Sequence, residues 1–514
     1  MEFEVLKDLV QTITRNKIKN IEVLGNPDSE KNLISEMHEG IFKGQFASDN
    51  EAARHLYGTN EKDPNYKKLR NRLIRQLINT SFFVDTNLPQ YNERGKASFT
   101  CYREYAAAYI IWSKDATKAS HYLLQQLLEQ TIKFEFTALT ADICRLLRHQ
   151  SALSPGDQVS HEKYTILHQL YEEKRYWEAK SFDYTETLNH HYITRRSPSK
   201  EVNALASQYF DELFPHLASV GTIQFQIQTY HIGLIKHFSA NDCKSALALC
   251  DEALNLLKTR PNANRGGLSS FAFHKLICLT QLRIEDEGDK TINYCLTLVD
   301  PGNFNWFRLL ETQFYYYTYF KKYEQALRVF EEAVGHPKYL LLSGSARDMW
   351  VMIGGYLHIL AIFGKLDKND VETAAGYFNP FAARFLNDFE ILDKEKDGMN
   401  IPLVLLPVLY SVAKGLYEEE AFRRSVEALD KYRKRYLEND TNRRSAIFLK
   451  LLLAIAKREF AGERAETKIQ KERELLKKEP PEIAGQSFAI EVIPYEDLLE
   501  MLLQAQKNQA HLGK

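Results

Sequence analysis

The sequence predicts an all-α fold, a solenoid of paired helices, and three observations carry that prediction. Glycine (23) and proline (15) make up about 7 % of the 514 residues, against roughly 12 % in an average chain, so the turns that a β sandwich or barrel consumes are scarce. Apolar residues recur three and four apart over long stretches, the spacing of one helical face. Small–large–small triplets return on those faces at intervals that suit a helical hairpin. With 44 % hydrophobic and 26 % charged residues, the composition is that of a folded chain with a large core, and it excludes the disordered, collagen-like and disulfide-scaffold classes.

Lys plus Arg number 67 against 68 Asp plus Glu, a formal charge of −1, so no global field draws the molecule to nucleic acid or to an anionic membrane, and any electrostatic partner needs a local patch. The six cysteines form no CxxC pair and are expected to be reduced, structural side chains. The opening MEFEVLKDLVQTI carries Glu2 and Glu4 where a secretory leader is basic, which predicts a cytoplasmic protein. The longest uncharged apolar run, Met349 to Gly364, has sixteen residues, short of the roughly 20 that cross a bilayer, so it reads as a buried helix and no membrane partner is expected.

From the start of the chain, residues 1–95 read as a helical region with a helix-turn-helix outline. After a helical opening, Ser48 caps a short helix that stops at Gly58; Asp63-Pro64 turns the chain into a longer helix from Tyr66 to about Thr80. That second helix holds Lys67, Lys68, Arg70, Arg72 and Arg75 with no acid, above a stripe of Leu69, Leu73, Ile74 and Leu77 expected to be buried. Such a face either meets phosphates or stands in solvent; the solvated reading is favoured, because only Asn71 and Gln76 stand beside the cations as base-reading side chains. The region also resembles an uncharacterised helical family of Bacteroidota, a resemblance that implies no function. Residues 96–220 are expected to be helical, as degenerate repeats.

The repeats are clearest in residues 221–460. In YEQALRVFEEAVGHP, residues Tyr323, Ala326, Phe330 and Ala333 share a helical face, and Gly335 and Pro337 end the helix. The small residues suit a close helix crossing. Ala246, Cys250 and Ala253 repeat the pattern before Pro261, and Thr291, Cys295 and Leu298 repeat it weakly; the three copies stand 45 and 35 residues apart. Trp350, Ile353, Gly354 and Leu357 fit the partner helix of such a hairpin, and Phe422, Ser425, Leu429 and Tyr432 another second helix. These units resemble tetratricopeptide repeats over roughly residues 220 to 440. The resemblance implies a right-handed superhelix whose first helices line a groove for a protein or peptide. Departures are the unequal spacing and an acidic, glycine-containing insertion between Leu366 and Phe381. Residues 461–514 comprise a charged helix (463–479), a break at Pro480-Pro481 and a capping helix over 494–504.

Six of the seven residues from Phe314 to Phe320 are aromatic, and successive helical positions advance by about 100°, so they cannot all face one core. Aligned on the repeat, Arg308, Glu311, Tyr315, Thr318 and Tyr319 are expected to face the groove, with Tyr316, Tyr317 and Phe320 left to pack. The same alignment at Tyr230 exposes Gln228, His231 and Ile235. Aromatic and arginine side chains are frequent hot spots of interfaces, although packing between hairpins explains them equally well.

Catalytic and metal motifs fail on inspection. Gly25 to Lys31 lacks the second glycine of a phosphate-binding loop, and Ser343-Gly344-Ser345 has the wrong order for a nucleophile elbow. Asp393 to Gly398 begins like a calcium loop, but Val404 stands where its last carboxylate belongs. His190-His191 has no further ligand motif. The sequence therefore predicts a non-enzymatic peptide- or protein-binding scaffold without cofactor or metal. A DNA-contacting regulator with a ligand-sensing repeat domain, or an enzyme with a dispersed site, are the alternatives.

Overall fold

The structure, a computed structural model, describes residues 33–82, 93–153, 157–191, 199–260, 265–367, 401–417, 419–436, 443–457, 463–479, 483–484, 488–489 and 491–512. It is helical apart from a hairpin of two-residue strands, β1 (Ile483–Ala484) and β2 (Phe488–Ala489), antiparallel with Ile483 opposite Ala489. The chain divides into two units, Met1–Tyr176 and Trp177–Lys514, so the block expected at 96–220 is shared between them. Two features expected from the sequence, the start of the calcium-like loop at Asp393–Gly398 and the Pro480-Pro481 break, lie outside the described residues, as do Gly25–Lys31 and nearly all of the 366–381 insertion.

In the first unit, helices α1 (Leu33–Phe42), α2 (Asp49–Tyr57) and α3 (Pro64–Ser81) pack mutually. Their small core is Ile34, Met37, Ala52, Ala53, Tyr66, Leu69 and Leu73. The capping residues read from the sequence do what their chemistry allows. The Ser48 side chain accepts from the Glu51 N–H, Gly58 adopts φ 66° at the end of α2, and Asp63 accepts from the N–H groups of Asn65 and Tyr66 to start α3. Helices α4 (Glu93–Trp112), α5 (Thr117–Lys133) and α6 (Thr137–Ala152) follow in antiparallel sequence, each packed on the next around Leu124, Leu127, Ile143 and Leu147. Tyr164 of α7 (Gln158–His190) joins that core, and the division between the units falls within α7.

The second unit continues with α8 (Ser199–Leu213), α9 (Ile223–Ser239), α10 (Cys243–Lys258), α11 (Arg265–Gln281), α12 (Gly288–Leu298), α13 (Phe304–Tyr319), α14 (Tyr323–Gly335) and α15 (Gly344–Ile362). After the undescribed stretch come α16 (Ile401–Lys414), α17 (Glu420–Tyr436), α18 (Arg443–Ala456), α19 (Glu463–Lys478) and α20 (Tyr495–Leu512). Each helix packs on its sequence neighbours, and α11 also touches α13, the arrangement of a solenoid in which first helices form one row and second helices another. The small residues sit where the helices cross: Ala246, Cys250, Ala253, Ala326 and Ala333 have no exposed surface. At Gly233 in α9, an added Cβ would stand 2.6 Å from both Leu249 Cδ2 and Phe210 Cε2, so only glycine lets α8 and α10 approach this closely.

One turn recurs in both units. Asp115, Glu135, Asn241, Arg283 and Lys321 all adopt left-handed φ values between 55° and 63°. At each, its N–H bonds the carbonyl three residues back and the next N–H bonds the carbonyl five residues back, as with Asn241 to Phe238 and Asp242 to His237. Gly364 and Gly415 make the same turn with glycine. This is the paired C-terminal closure of a helix by one left-handed residue, and it turns one helix into the next within only a few residues.

Candidate functional site

The row α9, α11, α13, α15 is the face on which a partner groove was expected, and α13 lies in its middle. Asn303 starts α13 by accepting from the Trp306 N–H at 2.7 Å. Its side chains then meet both neighbouring first helices, the turn after α11, and residues 491–502 near the end of the chain. Thr318 Oγ1 donates to the Val492 carbonyl at 2.7 Å across 174 residues of sequence. Lys321 Nζ stands 2.8 Å from Asp497 Oδ1, and Arg283 approaches Glu496 at 4.0 Å. Val492, Ile493, Tyr495, Leu498 and Leu499 are all buried. At the ends of α11 and α13 this face is thus covered by the chain's own residues.

This corrects the expected exposure of the groove residues. Tyr315 is 4 % exposed, Tyr319 2 %, Glu311 3 % and Thr318 0 %. Tyr315 packs on α15, its hydroxyl 3.6 Å from Met349 Sδ; the Tyr319 hydroxyl accepts from Gln281 Nε2 at 3.5 Å and lies near Glu491 and Arg444. Arg308, part-exposed, reaches Glu311 Oε2 at 2.7 Å. The other Glu311 oxygen is buried with no hydrogen-bond partner, and burial pushes this carboxyl up to about 7 against the pull of Arg308. Gln228 and His231, expected to be exposed, are part-buried between helices: Gln228 accepts from Thr185 Oγ1 at 2.9 Å, and His231 Nε2 lies 2.9 Å from Ser270 Oγ with its ring stacked on Phe271. Burial lowers His231 to about 3, so it is neutral. Ile235 also packs against the core. Tyr317 and Phe320, assigned to packing, are part-buried and pack against the core, and Tyr316 is fully buried with its hydroxyl on the Glu285 carbonyl at 3.2 Å.

What fastens residues 491–502 is a buried guanidinium that sequence reading passed over. Arg444 at the start of α18 is 2 % exposed. It donates Nε to Glu491, Nη2 to Glu491 (3.1 Å) and Glu496 (2.6 Å), and Nη1 to the carbonyls of Leu476 (2.5 Å) and Glu479 (2.9 Å). Glu491 in turn accepts the Tyr495 N–H at 3.0 Å, and the Tyr495 ring stacks on Phe448 at 4.1 Å. Every donor of this arginine that could bridge the two segments is used, which is the condition for tolerating a buried charge.

No family model, curated protein or solved structure matches this chain. The functional reading therefore rests on its own chemistry.

In the first unit, the basic helix stands as the sequence suggested for its cations and differently for its stripe. Lys67, Lys68, Arg70, Arg72 and Arg75 are all exposed. Arg70 Nε pairs with Asp49 at 3.1 Å, whereas Lys67, Lys68, Arg72 and Arg75 have no ion pair among the described residues. Leu69 and Leu73 are buried as expected, but Ile74 and Leu77 are 39 % and 42 % exposed, because α1 and α2 together cover only the first half of α3.

The remaining candidates have structural roles or local contacts, His191 standing 4.0 Å from Glu201. Ser343 Oγ caps α15 through the Ala346 N–H. All six cysteines are buried and unbridged, and burial pushes Cys144, Cys243 and Cys295 up to about 12, which suppresses the reactive thiolate. Among the described residues no group of His, Cys, Asp and Glu is arranged to hold a metal, and no helix is long and apolar enough to cross a membrane.

Proposed function

We propose that this protein is a non-catalytic cytoplasmic binding scaffold with tetratricopeptide-like, right-handed repeats, whose first-helix row takes up a peptide. The observation that carries this reading is the seat of residues 491–494: a main-chain carbonyl accepts from Thr318 while the neighbouring Val492 and Ile493 side chains are buried. The chain bends at Val492 and Ile493 before α20 begins, so the seat combines a main-chain contact with buried side chains, the combination by which a groove holds a peptide. A partner peptide competes with this internal one. The test is to place a protease site at residues 485–487, cleave the folded protein, and follow fluorescence anisotropy of a labelled peptide copying residues 491–512. Saturable exchange into the cleaved protein supports a peptide-binding face. A cleaved protein that stays folded and takes up no peptide sinks the reading.

A second reading is favoured by a separate observation, the four exposed cations of α3 that have no ion pair among the described residues. Their helix follows a capped helix and a turn, the outline of a nucleic-acid recognition unit, and it carries no acid. On this reading the first unit contacts duplex phosphates.

A further inference from the structure

Helix α3 carries more than cations on its exposed side. Ile74 and Leu77, and beyond them Ile78 (56 %) and Phe82 (51 %), stand in solvent. At about 100° per residue these four fall within an arc of about 140°, so they form one apolar patch along the second half of the helix. The patch adjoins the buried stripe of Tyr66, Leu69 and Leu73 and is not part of it. Lys67 lies inside the same arc, two turns before Ile74. Arg75, Lys68 and Arg72 follow around the helix, about 20°, 40° and 80° past Phe82. Single exposed apolar side chains need no explanation, but a contiguous patch marks a contact surface.

The charge beside this patch is unmet. Helix α3 has no acid, and Lys67, Lys68, Arg72 and Arg75 have no ion pair among the described residues. The carboxylates of α1 and α2 serve other groups: Glu36 faces His55, Glu39 faces Lys43, Asp49 holds Arg70, and Glu51 accepts the Ala47 N–H. Asp63 is used in capping α3 itself. What covers this side must therefore bring negative charge and an apolar layer together.

Cations alone suit any polyanion, and the apolar patch decides among them. A duplex answers lysine and arginine with phosphates, but its grooves offer an apolar side chain little besides the thymine methyl. One partner helix packs through a stripe about 100° wide, whereas cations and patch together span about 220° of α3. A helix that sinks into a lipid headgroup layer is touched over such a broad arc, with phosphates at the level of its cations and the acyl boundary within reach of its apolar side chains.

We infer that α3 is a peripheral contact helix for an anionic lipid surface. Lys67, Lys68, Arg72 and Arg75 meet the headgroups, while Ile74, Leu77, Ile78 and Phe82 enter the boundary beneath them. The contact is with one leaflet and needs no spanning helix. It goes beyond the peptide-binding reading and competes with the nucleic-acid reading for the same cations.

Cosedimentation of the full chain at low ionic strength tests this, with vesicles of phosphatidylcholine alone and of phosphatidylcholine mixed with an equal part of phosphatidylserine. The native chain is expected to pellet with the mixed vesicles and to stay in solution with phosphatidylcholine alone. Lys68→Gln and Arg72→Gln should each weaken binding about fivefold. Ile78→Ser with Phe82→Ser should weaken it about tenfold with the melting temperature kept, because affinity also scales with the apolar area buried. All six native cysteines are buried, so Ile78→Cys can be labelled alone with an environment-sensitive dye, whose emission should shift to the blue on the mixed vesicles. Should the serine variant melt early, the dye decides. The proposal is overturned if the native chain does not pellet with the mixed vesicles, if it pellets equally with phosphatidylcholine, if the folded serine variant binds as the native chain does, or if the dye emission does not move. Retention on duplex DNA without binding to the mixed vesicles overturns it in favour of the nucleic-acid reading.

Discussion

Helices α3 and α13 are the two compositional outliers of the chain. The first carries five cations and no acid, and the second ends in a run of aromatics. In α3 all five cations stay in solvent. In α13 both the tyrosines expected in solvent and the carboxylate beside them are buried. The difference lies in what each residue type demands of its surroundings. A lysine or arginine stays exposed unless a specific partner meets it, because leaving water is expensive for a charge. A tyrosine accepts either setting, so its position is decided by what the rest of the chain brings up to it. For α13 that is its neighbouring helices and residues 491–502.

The sharpest way to break this contrast is to truncate the buried face. Tyr319→Ala is expected to cost about 3–5 kcal/mol of unfolding free energy, in the range of large aromatic deletions from a core, with Tyr315→Ala similar. Tyr317→Ala, on the part-exposed side, should cost far less. Urea denaturation of the three variants ranks them; a Tyr317→Ala loss equal to that of Tyr319→Ala would mean that the two sides of α13 are packed alike.

A smaller effect comes from Glu311 on the same helix. Its carboxyl is raised from an ordinary 4.5 to about 7 by burial, so between those values the folded chain holds a proton that the unfolded chain has released. Stability from this group is fully present below about pH 4.5 and is lost as pH rises through 7, with a slope of at most about 1.4 kcal/mol per pH unit. Glu311→Gln should flatten that slope and leave the protein more stable at pH 8. Denaturation midpoints of both chains across pH 5 to 8 test it; parallel curves would show that Arg308 keeps the carboxylate charged throughout.

On α3 the smallest stability effect is expected. Reversing Lys68, Arg72 and Arg75 to glutamate should change stability by only about 0.5 kcal/mol per site. If the helix meets nucleic acid, the same change removes retention on duplex DNA at low salt, and each lost phosphate contact lowers the slope of log affinity against log salt by about 0.9. A native chain that is not retained at low ionic strength removes the nucleic-acid reading of α3.

Much of the architecture was legible in residues close together in sequence. Ser48, Gly58 and Asp63 mark helix ends because caps act over three or four positions, and the alanines of α14 mark a crossing with its immediate neighbours. The helix of Met349 to Gly364 was legible from its apolar length alone. The exposure of α13 was not, because it depends on Val492 and Asp497, more than 170 residues away. Nothing in the aromatic run names that partner. A local signal did exist at the other end: Glu491-Val492-Ile493-Pro494 sets an apolar pair between a carboxylate and a proline, which suits a buried bend better than a free capping turn. The turns at Asn241, Arg283 and Lys321 were equally hidden, since none uses the glycine by which a left-handed closure is recognised.

The turns at Arg283 and Lys321 act together with the segment they reach. A solenoid is held by nearest-neighbour contacts and is free to fray from one end while the middle persists. Here Arg283 and Lys321, on successive turns, reach α20, Thr318 holds the Val492 carbonyl, and Arg444 clasps Glu491 and Glu496 from α18. Hairpins far apart in the array are thereby strapped to one strip of chain. From α11 onward the array should therefore resist fraying from either end, and residues 283–497 should lose their structure together.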